Sequence, residues 1–285
     1  MVLIADSGST KCDWVLKLSD GEFLEFNTIG YNPLFHPEKQ IIEALESQEK
    51  LRKHKEGIEE IYFFGAGNST PKAKSKLILV LKKVFPNAGI IEPYTDVHGA
   101  ALATYDGRDC ISCILGTGAN AIFFDGQKIL SGKPALGYIL GDEGSGAYFG
   151  KKLLAAYLNK LLPDHIQEDF FNQYGLMKKD IIERVYRGER PNAFLASFMP
   201  FISKHREDES IQKMLQKGFR SFLLIQVMCY EQFRKVPVHF VGSVAHYFQD
   251  EINQEANRLG IQTGQFIQRP INQLKLLNLQ YFKSL

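Results

Sequence analysis

The residues best suited to chemistry lie near the start of the chain, in the segment DSGSTK. Asp6 follows a short apolar run, Val2 to Ala5, which is typical of a buried strand. A Gly-rich turn after such a strand lets backbone N–H groups crowd around an anion, and nearby hydroxyl and ammonium groups add further donors. The segment therefore predicts a phosphate-binding turn, made of Gly8, Ser9, Thr10 and Lys11.

The carboxylate of Asp6 stands just before this turn and suits a magnesium ion. A hard cation that keeps most of its waters needs only one or two carboxylates from the protein. An ordinary hairpin turn is the alternative interpretation, because Gly and Ser are common in turns of every kind. The phosphate interpretation is favoured because a second Gly-rich turn follows the same pattern further along the chain.

The chain repeats its opening pattern from Cys110, in CISCILGTGANAIFFDGQKIL. Both segments predict a strand, a Gly-rich turn, a strand, an Asp-Gly turn and a strand. Gly118 takes the place of Gly8, whereas Leu115 and Gly116 stand where the first segment has its acid. Because a duplication constrains the whole architecture, it predicts an α/β protein of two lobes whose turns grip a polyphosphate across a cleft.

The order of predicted elements indicates the extent of each lobe. The N-terminal lobe covers residues 1–107 and is completed by a C-terminal helix at about 271–285. The C-terminal lobe covers residues 108–270, with a helical or irregular insertion at about 163–210. Two of the expected helices span residues 38–54 and 211–235.

Asp96 is the candidate catalytic base. It follows a short predicted strand, Gly89 to Glu92, and precedes a helix of small residues. A carboxylate in this place can accept the proton of an attacking hydroxyl during phosphoryl transfer. A helix N-cap is the other interpretation of the same position, because Asp is common there.

The segment GYILGDEGSGAYFG places two acids, Asp142 and Glu143, among five glycines. A helix start explains the acids, because negative charge is favourable at a helix N-terminus. It does not explain the glycines, whereas close approach of the backbone to a ligand does. The segment therefore predicts a second part of the ligand-binding site.

The composition narrows the class of function. A formal net charge of +2 gives no basic field for nucleic acid, and 45% hydrophobic residues are ordinary for a soluble protein. No apolar run reaches membrane-spanning length, and the chain opens on a strand with no charged leader before it. We therefore expect neither a nucleic-acid partner nor a membrane partner.

The cysteines, at positions 12, 110, 113 and 229, lack the regular spacing of a secreted disulfide framework. A reducing cytoplasm is therefore the expected compartment. Cys110 and Cys113 form a C-x-x-C pair inside a strand pattern. Strand alternation turns the two side chains to opposite faces, which disfavours joint metal ligation.

Four motifs carry a family resemblance, namely DSGSTK, ILGTGAN, GDEGSGAYFG and VGSV at Val241 to Val244. In this order they make the chain similar to the sugar kinase, actin and heat-shock chaperone ATPase superfamily over nearly its whole length. Within it, the chain resembles the N-acetylglucosamine kinase branch, which is grouped with the BadF/BadG/BcrA/BcrD ATPases. The resemblance implies two ribonuclease-H-like lobes, ATP and Mg²⁺ as cofactors, a small-molecule sugar substrate and a homodimer.

The resemblance also implies a role for each motif residue. Asp6 would position Mg²⁺ through water, and Asp96 would be the catalytic base. The residues implied at ATP are Gly8, Ser9, Thr10, Lys11, Gly116, Thr117, Gly118, Gly242 and Ser243. The residues implied at the sugar are Asn32, Gly67, Asn120, Gly137, Asp142 and Glu143.

The leading function is an ATP-dependent kinase that phosphorylates the primary hydroxyl of an amino sugar. N-acetylglucosamine is the favoured acceptor, and glucosamine or another hexosamine is the alternative. Two departures from the family pattern bear on nucleotide affinity: VGSV contains little glycine, and Asn272 and Gln273 stand where the family often has Gly-Ala. Two other classes stay open. An ATPase activator of a radical dehydratase would hold an iron–sulfur cluster with exposed cysteines, and a sensor would keep the fold without turnover.

Overall fold

The computed structural model describes residues 1–8, 10–33, 36–278 and 282. The chain divides into two compact units. The first contains Met1–Gly107, Asp125–Ile129 and Arg269–Leu285, and the second contains Arg108–Phe124 and Leu130–Gln268. None of the helices formed by the described residues combines the length and the apolar character that a membrane crossing requires.

Strands and helices alternate along most of the chain. The strands are β1 (Val2–Ser7), β2 (Lys11–Lys17), β3 (Phe23–Ile29), β4 (Glu60–Gly65), β5 (Ile90–Tyr94), β6 (Cys110–Leu115), β7 (Ala119–Phe124), β8 (Ile129–Ser131), β9 (Val238–Val241) and β10 (Thr263–Ile267). The α-helices are α1 (Glu38–Glu46), α2 (Glu49–Arg52), α3 (Pro71–Val84), α4 (Asp96–Thr104), α5 (Gly137–Leu140), α6 (Gly146–Leu158), α7 (Asp164–Tyr174), α8 (Lys178–Tyr186), α9 (Pro191–Ala196), α10 (Met199–Lys204), α11 (Glu209–Phe222), α12 (Ser243–Tyr247), α13 (Gln249–Arg258) and α14 (Ile271–Leu274).

The two sheets share one topology. The first has the order β3-β2-β1-β4-β5, in which β1, β2 and β3 are antiparallel and β1, β4 and β5 are parallel. The second has the order β8-β7-β6-β9-β10, with β6 antiparallel to β7 and parallel to β9, and β9 parallel to β10. This repeated order confirms the predicted α/β fold and the internal duplication.

Alternation along β1 and β2 places Asp6 on the face of the first sheet that is opposite the α1–α3 core. Leu3, Ala5 and Trp14 point into a core that α1 and α3 cover, and Trp14 stacks on Phe26 with ring centroids 5.9 Å apart. Because successive side chains of a strand point to opposite faces, Asp6 lies on the other side of the sheet. The turn at Gly8 joins two strands that are paired along the whole length of β1.

The second unit has an aromatic core that the insertion supplies. Residues 163–210 form the short helices α7 to α10, so the insertion is helical. Phe170 of α7 packs against Tyr157, Phe198 and Phe201, with ring centroids between 4.3 and 5.5 Å apart. Aromatic pairs at these separations add to the free energy gained from burial. The insertion therefore helps to stabilise α6, which carries part of the candidate site.

The predicted helix over residues 38–54 is wrong in its length. The structure ends α1 at Glu46, and Gln48 has the extended dihedrals φ −77° and ψ 106°. The Ser47 hydroxyl donates a hydrogen bond to the carbonyl oxygen of Ala44 at 2.9 Å. Such local bonding competes with helix continuation, which explains the break.

The predicted helix over residues 211–235 is also too long. α11 ends at Phe222, and a π-helical turn, Leu223–Val227, follows it. Tyr230 then anchors the chain on β7, because its hydroxyl donates to the carbonyl oxygen of Ala121 at 2.9 Å. Residues 228–235 form turns and a bend, so the helix has ended before this contact.

The predicted C-terminal helix is likewise shorter than expected within the described residues. α14 covers Ile271–Leu274, residues 275–278 are turn and coil, and Phe282 is helical. Residues 279–281 and 283–285 of the predicted helix lie outside the described part of the chain.

Candidate functional site

Three parallel strands of the first unit end at one edge of the sheet. The register pairs Asp6 of β1 with Phe64 of β4, and Phe64 with Tyr94 of β5. Gly67 follows β4 by two residues and Asp96 follows β5 by two residues. Open α/β sheets bind ligands at the carboxyl ends of their strands. The candidate metal, sugar and base residues of the first unit therefore share an edge suited to ligand binding.

Asp6 lies in an unusual electrostatic environment. Burial raises its pKa to about 7, and the nearby carboxylates of Asp13 and Asp96 add to this effect, while Arg269 and Lys11 oppose it. Asp13 stands directly opposite Asp6 in the antiparallel register of β1 and β2. Its Oδ1 lies 2.8 Å from the Lys11 ammonium and 2.9 Å from Nη2 of Arg269. Because these cations offset the charge of Asp13, Asp6 is the carboxylate available to another cation.

The surroundings of Asp6 fit a hydrated magnesium ion. Among the described residues, no group of three or more His, Cys, Asp or Glu side chains could hold a metal directly. Mg²⁺ usually keeps several waters and binds to one or two protein carboxylates together with phosphate oxygens. One buried carboxylate beside a Gly-rich turn meets that requirement.

Asp96 is the first residue of α4, and the N-cap position belongs to Thr95. The N-cap interpretation of Asp96 is therefore wrong by one residue. Oδ1 of Asp96 accepts a hydrogen bond from the Val97 backbone N–H at 3.0 Å. Burial is the main reason that the pKa of Asp96 is raised. A raised pKa suits a general base, whose best value is close to the operating pH.

Asn32 and Gly67 are brought together beside this edge. A Cβ atom built on Gly67 would lie 2.1 Å from Oδ1 of Asn32, and Gly67 has a φ of +85°. The hydroxyl oxygen of Ser7 accepts a hydrogen bond from the Tyr31 backbone N–H at 3.0 Å, which fixes the loop that carries Asn32. The absence of a Cβ at Gly67 is thus what allows the Asn32 amide to lie there.

Asn68 is a buried site neighbour that sequence reasoning missed. Its side chain is fully buried, and Nδ2 donates to the carbonyl oxygen of Tyr94 at 3.2 Å. Its Oδ1 has no hydrogen-bond partner among the described residues. This bond ties the end of β4 to the end of β5, two residues before Asp96. An asparagine directly after Gly65-Ala66-Gly67 is a signal for a polar role near the site. The sequence does not show that the carbonyl oxygen of Tyr94 is its partner.

The second Gly-rich turn is held by the first residues of α6. The Gly116 N–H donates to the carbonyl oxygen of Gly118 at 3.0 Å, which closes the turn between β6 and β7. The backbone N–H groups of Gly146 and Ala147 donate to the carbonyl oxygens of Gly116 and Thr117 at 2.8 and 3.1 Å. These hydrogen bonds hold the turn against the start of α6.

Asp142 packs on this turn. Its Oδ1 accepts a hydrogen bond from the Ala119 backbone N–H at 3.3 Å, and a Cβ on Gly118 would lie 3.1 Å from its Oδ2. Asp142 has a φ of +55°, a conformation that costs free energy for a residue with a side chain. Asn120, on β7, accepts the N–H of Ala121 at 2.9 Å.

A lysine supports the glycine-rich segment that precedes Asp142. Nζ of Lys151, on α6, donates to the carbonyl oxygen of Tyr138 at 2.8 Å. Burial is the main reason that the pKa of Lys151 is lowered. Gly137 begins α5 with a φ of +71°, and Glu143 follows Asp142 directly. Lys151 therefore fixes the chain between two proposed sugar residues, a role that its place in a helix did not reveal.

The VGSV motif lies beside the second turn because β6 and β9 are parallel neighbours. The register pairs Ile114 with Val241, and Gly242 then has a φ of +108°. A Cβ on Gly242 would lie 2.5 Å from the carbonyl oxygen of Leu115, and its N–H donates to the carbonyl oxygen of Ile267 at 2.9 Å. Ser243 begins α12.

The structure describes the turn between β1 and β2 except at one position. The Gly8 N–H donates to the carbonyl oxygen of Lys11 at 3.0 Å, which closes the turn between β1 and β2. Thr10 is exposed at its tip. Ser9 lies outside the described residues.

No model of a protein family matches the chain, and no curated protein matches it. Solved structures do match the chain. A candidate N-acetylglucosamine kinase from Porphyromonas gingivalis is 38% identical, and the match covers 99% of this chain and 98% of that chain with a TM-score of 0.89. The chain belongs to the N-acetylglucosamine kinase branch of the sugar kinase, actin and heat-shock chaperone ATPase superfamily.

More distant structures share the fold. A candidate N-acetylglucosamine kinase from Chromobacterium violaceum is 18% identical over 97% of this chain and 93% of that chain, with a TM-score of 0.66. A ROK family glucokinase from Streptomyces griseus, in complex with glucose and AMPPNP, is 14% identical over 94% and 93%, with a TM-score of 0.52. Family membership confirms the expectation of an ATP-dependent sugar kinase.

The cysteines disfavour the dehydratase-activator alternative. All four are free, three of them are buried, and Cys229 is partly exposed. Cys113 lies in the core of the second unit. An activator that holds an iron–sulfur cluster with another subunit needs thiols at its surface, which the buried Cys110 and Cys113 do not provide.

Replacing Gly242 by Ala should weaken nucleotide binding and lower stability together. Gly242 combines a positive φ with a clash against the Leu115 carbonyl, so an added methyl forces the chain beside the second turn to move. Gly107→Ala is the matched control, because Gly107 has a φ of +95° and no described atom within 4 Å of its added Cβ. The control should cost about 1–2 kcal/mol of unfolding free energy through backbone strain alone.

Thermal unfolding and ATP titration of both variants test this expectation. We expect Gly242→Ala to lower Tm more than the control and to raise the Kd for ATP. Equal Tm losses with unchanged ATP affinity would show that the VGSV segment does not border the nucleotide.

Proposed function

We propose that this chain transfers the γ-phosphoryl group of ATP to the primary hydroxyl of an amino sugar, with N-acetylglucosamine as the preferred acceptor. One observation carries the proposal: Asp6 near the end of β1, Gly67 just after β4 and Asp96 just after β5 share one edge of the first sheet, and the Asn32 amide lies against Gly67. Membership of a sugar kinase family supports the reaction. The 38% identical relative is a candidate N-acetylglucosamine kinase, which supports the choice of N-acetylglucosamine as the acceptor.

The two Gly-rich turns supply the nucleotide contacts in this proposal. Backbone N–H groups and side chains of both turns bind phosphate oxygens, and the VGSV segment borders the adenosine. Asp6 would hold Mg²⁺ through water, and the ion supplies charge stabilisation at the phosphates when it is bound. The proposed ATP contacts are Gly8, Ser9, Thr10, Lys11, Gly116, Thr117, Gly118, Gly242 and Ser243.

The sugar contacts come from polar side chains and open backbone. Hydroxyl groups of a sugar are recognised by carboxylate and amide oxygens in fixed places, and each unit has such groups held by backbone hydrogen bonds. The proposed sugar contacts are Asn32, Gly67, Asn120, Gly137, Asp142 and Glu143. Asp96 accepts the proton of the attacking hydroxyl, as its raised pKa permits.

The same groups could serve glucosamine or another hexosamine, because the primary hydroxyl is common to all of them. A sensor that binds sugar or nucleotide without turnover is the second class of alternative. We further propose a cytoplasmic homodimer. The free state of all four cysteines supports a reducing compartment.

ADP release over an acceptor panel tests the proposal. The panel contains N-acetylglucosamine, glucosamine, N-acetylmannosamine, glucose and a sample without sugar, each with MgATP. We expect the highest kcat/KM with N-acetylglucosamine and little ADP without sugar. ADP release at the same rate with and without every sugar would indicate an ATPase. No release in any sample would favour the sensor.

A further inference from the structure

We propose that Arg269 is a second phosphate-binding cation of the first unit, held beside the Asp6 turn by Asp13. This inference rests on the proposed use of ATP, but it concerns a residue from the far end of the chain. Arg269 stands just before α14, 256 positions after Asp13, and its Nη2 donates to Asp13 Oδ1 at 2.9 Å.

Asp13 holds Lys11 and Arg269 at the strand pair that carries the Gly8 turn. Asp13 lies on β2, two residues after Lys11 and directly opposite Asp6 in the strand register. Side chains opposite each other on antiparallel strands have Cβ atoms about 5 Å apart. Lys11 Nζ and Arg269 Nη2 contact the same oxygen of Asp13, so two positive charges meet on the residue that stands opposite Asp6.

The guanidinium of Arg269 retains donors for an anion. Arginine has five N–H donors in a planar fork that matches phosphate oxygens. The Nε of Arg269 is buried and has no hydrogen-bond partner within the described ranges, although 35% of the side chain is exposed. A buried donor without a partner is costly, and a phosphate oxygen would satisfy it.

A purely structural role is the alternative, in which the ion pair only docks the C-terminal segment. The chain offers a matched example of such a pair. Nζ of Lys275 lies 2.5 Å from Oε1 of Glu25 on β3, and this contact joins the same segment to the same sheet. Glu25 is far along β3 from the phosphate turn, because the register pairs it with Val15 and not with the residues of the turn.

Nucleotide titration of two variants distinguishes these roles. Arg269→Gln and Lys275→Gln are each titrated with ATP, ADP, AMP and adenosine in the presence of Mg²⁺, after thermal unfolding has shown that both are folded. We expect Arg269→Gln to raise the Kd for ATP by roughly 10- to 100-fold, as the loss of a charge-assisted hydrogen bond does. Adenosine should bind with unchanged affinity, and Lys275→Gln should leave all four Kd values unchanged.

Arg269→Lys keeps the charge without the fork and should recover part of the ATP affinity. Equal ATP affinity in wild-type and Arg269→Gln proteins would overturn the inference. So would equal losses in the two glutamine variants, or equal losses for ATP and adenosine, because these indicate docking alone. A wild-type protein that binds ATP and phosphorylates no sugar would overturn the proposed function, while this comparison would still decide the role of Arg269.

Discussion

Replacing Asp96 by Asn should lower kcat for sugar phosphorylation by about 10²- to 10⁴-fold, the usual effect of losing a general base. The amide can still take part in hydrogen bonds but cannot accept a proton. Asp96 occupies the first position of α4 and accepts one backbone N–H, and Asn can preserve that contact. We therefore expect nearly unchanged Tm and ATP affinity, and a smaller change in the KM for the sugar.

Asp164→Asn is a matched control, because Asp164 is also the first residue of a helix. The two substitutions remove the same charge from the same helical position, so they share any effect of the helix dipole. A kcat of Asp96→Asn close to that of the control would contradict the base assignment. Asp142, the other acid held in a glycine-rich segment, would then be the next candidate base.

The pH dependence of wild-type kcat/KM should follow the raised pKa of Asp96. A base works in its ionised form, so activity should be lost as the pH falls through the pKa of Asp96. Because this pKa is raised, the loss should begin at a higher pH than it would for an ordinary aspartate. The same raised pKa affects stability in the opposite direction. A carboxyl whose pKa is raised by folding stabilises the protein at low pH, and this contribution is lost as the pH rises through the folded-state value.

Replacing Asp6 by Asn should lower kcat by about 10³-fold or more, because charge stabilisation at the phosphates is lost. The effect on stability should be the reverse. The pKa of Asp6 is raised to about 7 by burial and by neighbouring carboxylates, so at pH 8 the metal-free protein holds an ionised carboxylate in an unfavourable place. We expect the metal-free variant to have a Tm at pH 8 that equals or exceeds the wild-type value.

Thermal unfolding in EDTA and in Mg²⁺ with ATP tests this pair of expectations. The wild type should gain Tm when Mg²⁺ and ATP are added, and the Asp6→Asn protein should gain less. The Tm difference between the two metal-free proteins should vanish near pH 4, where the wild-type carboxyl is protonated. An Asp6→Asn protein with normal turnover would show that this carboxylate does not hold the metal.

Local patterns predicted most of the fold. Each repeat of strand, Gly-rich turn and strand is a contiguous segment, so its alternation and its glycines are visible without knowledge of the rest of the chain. The repeated order of elements then predicted two sheets of one topology, which the structure confirms. Helix ends were less predictable, because Ser47 and Tyr230 end or divert helices through hydrogen bonds that hydrophobic periodicity does not encode.

Contacts between distant parts of the chain account for what the sequence could not predict. Asn68 acquires its position through the carbonyl oxygen of Tyr94, and Arg269 through the carboxylate of Asp13. Neither partner belongs to a motif that includes the other residue. The N-cap alternative for Asp96 is wrong for a smaller reason, because a shift of one residue gives the N-cap to Thr95.

The identity of the phosphorylated product tests the central claim most directly. ³¹P–¹H correlation NMR of the reaction with MgATP and N-acetylglucosamine should show a phosphomonoester coupled to the two protons of the primary carbinol carbon. ADP should form in equal amount, and the Asp96→Asn protein should yield little of either. Inorganic phosphate as the main product, or a phosphate coupled to a ring proton, would contradict transfer to the primary hydroxyl.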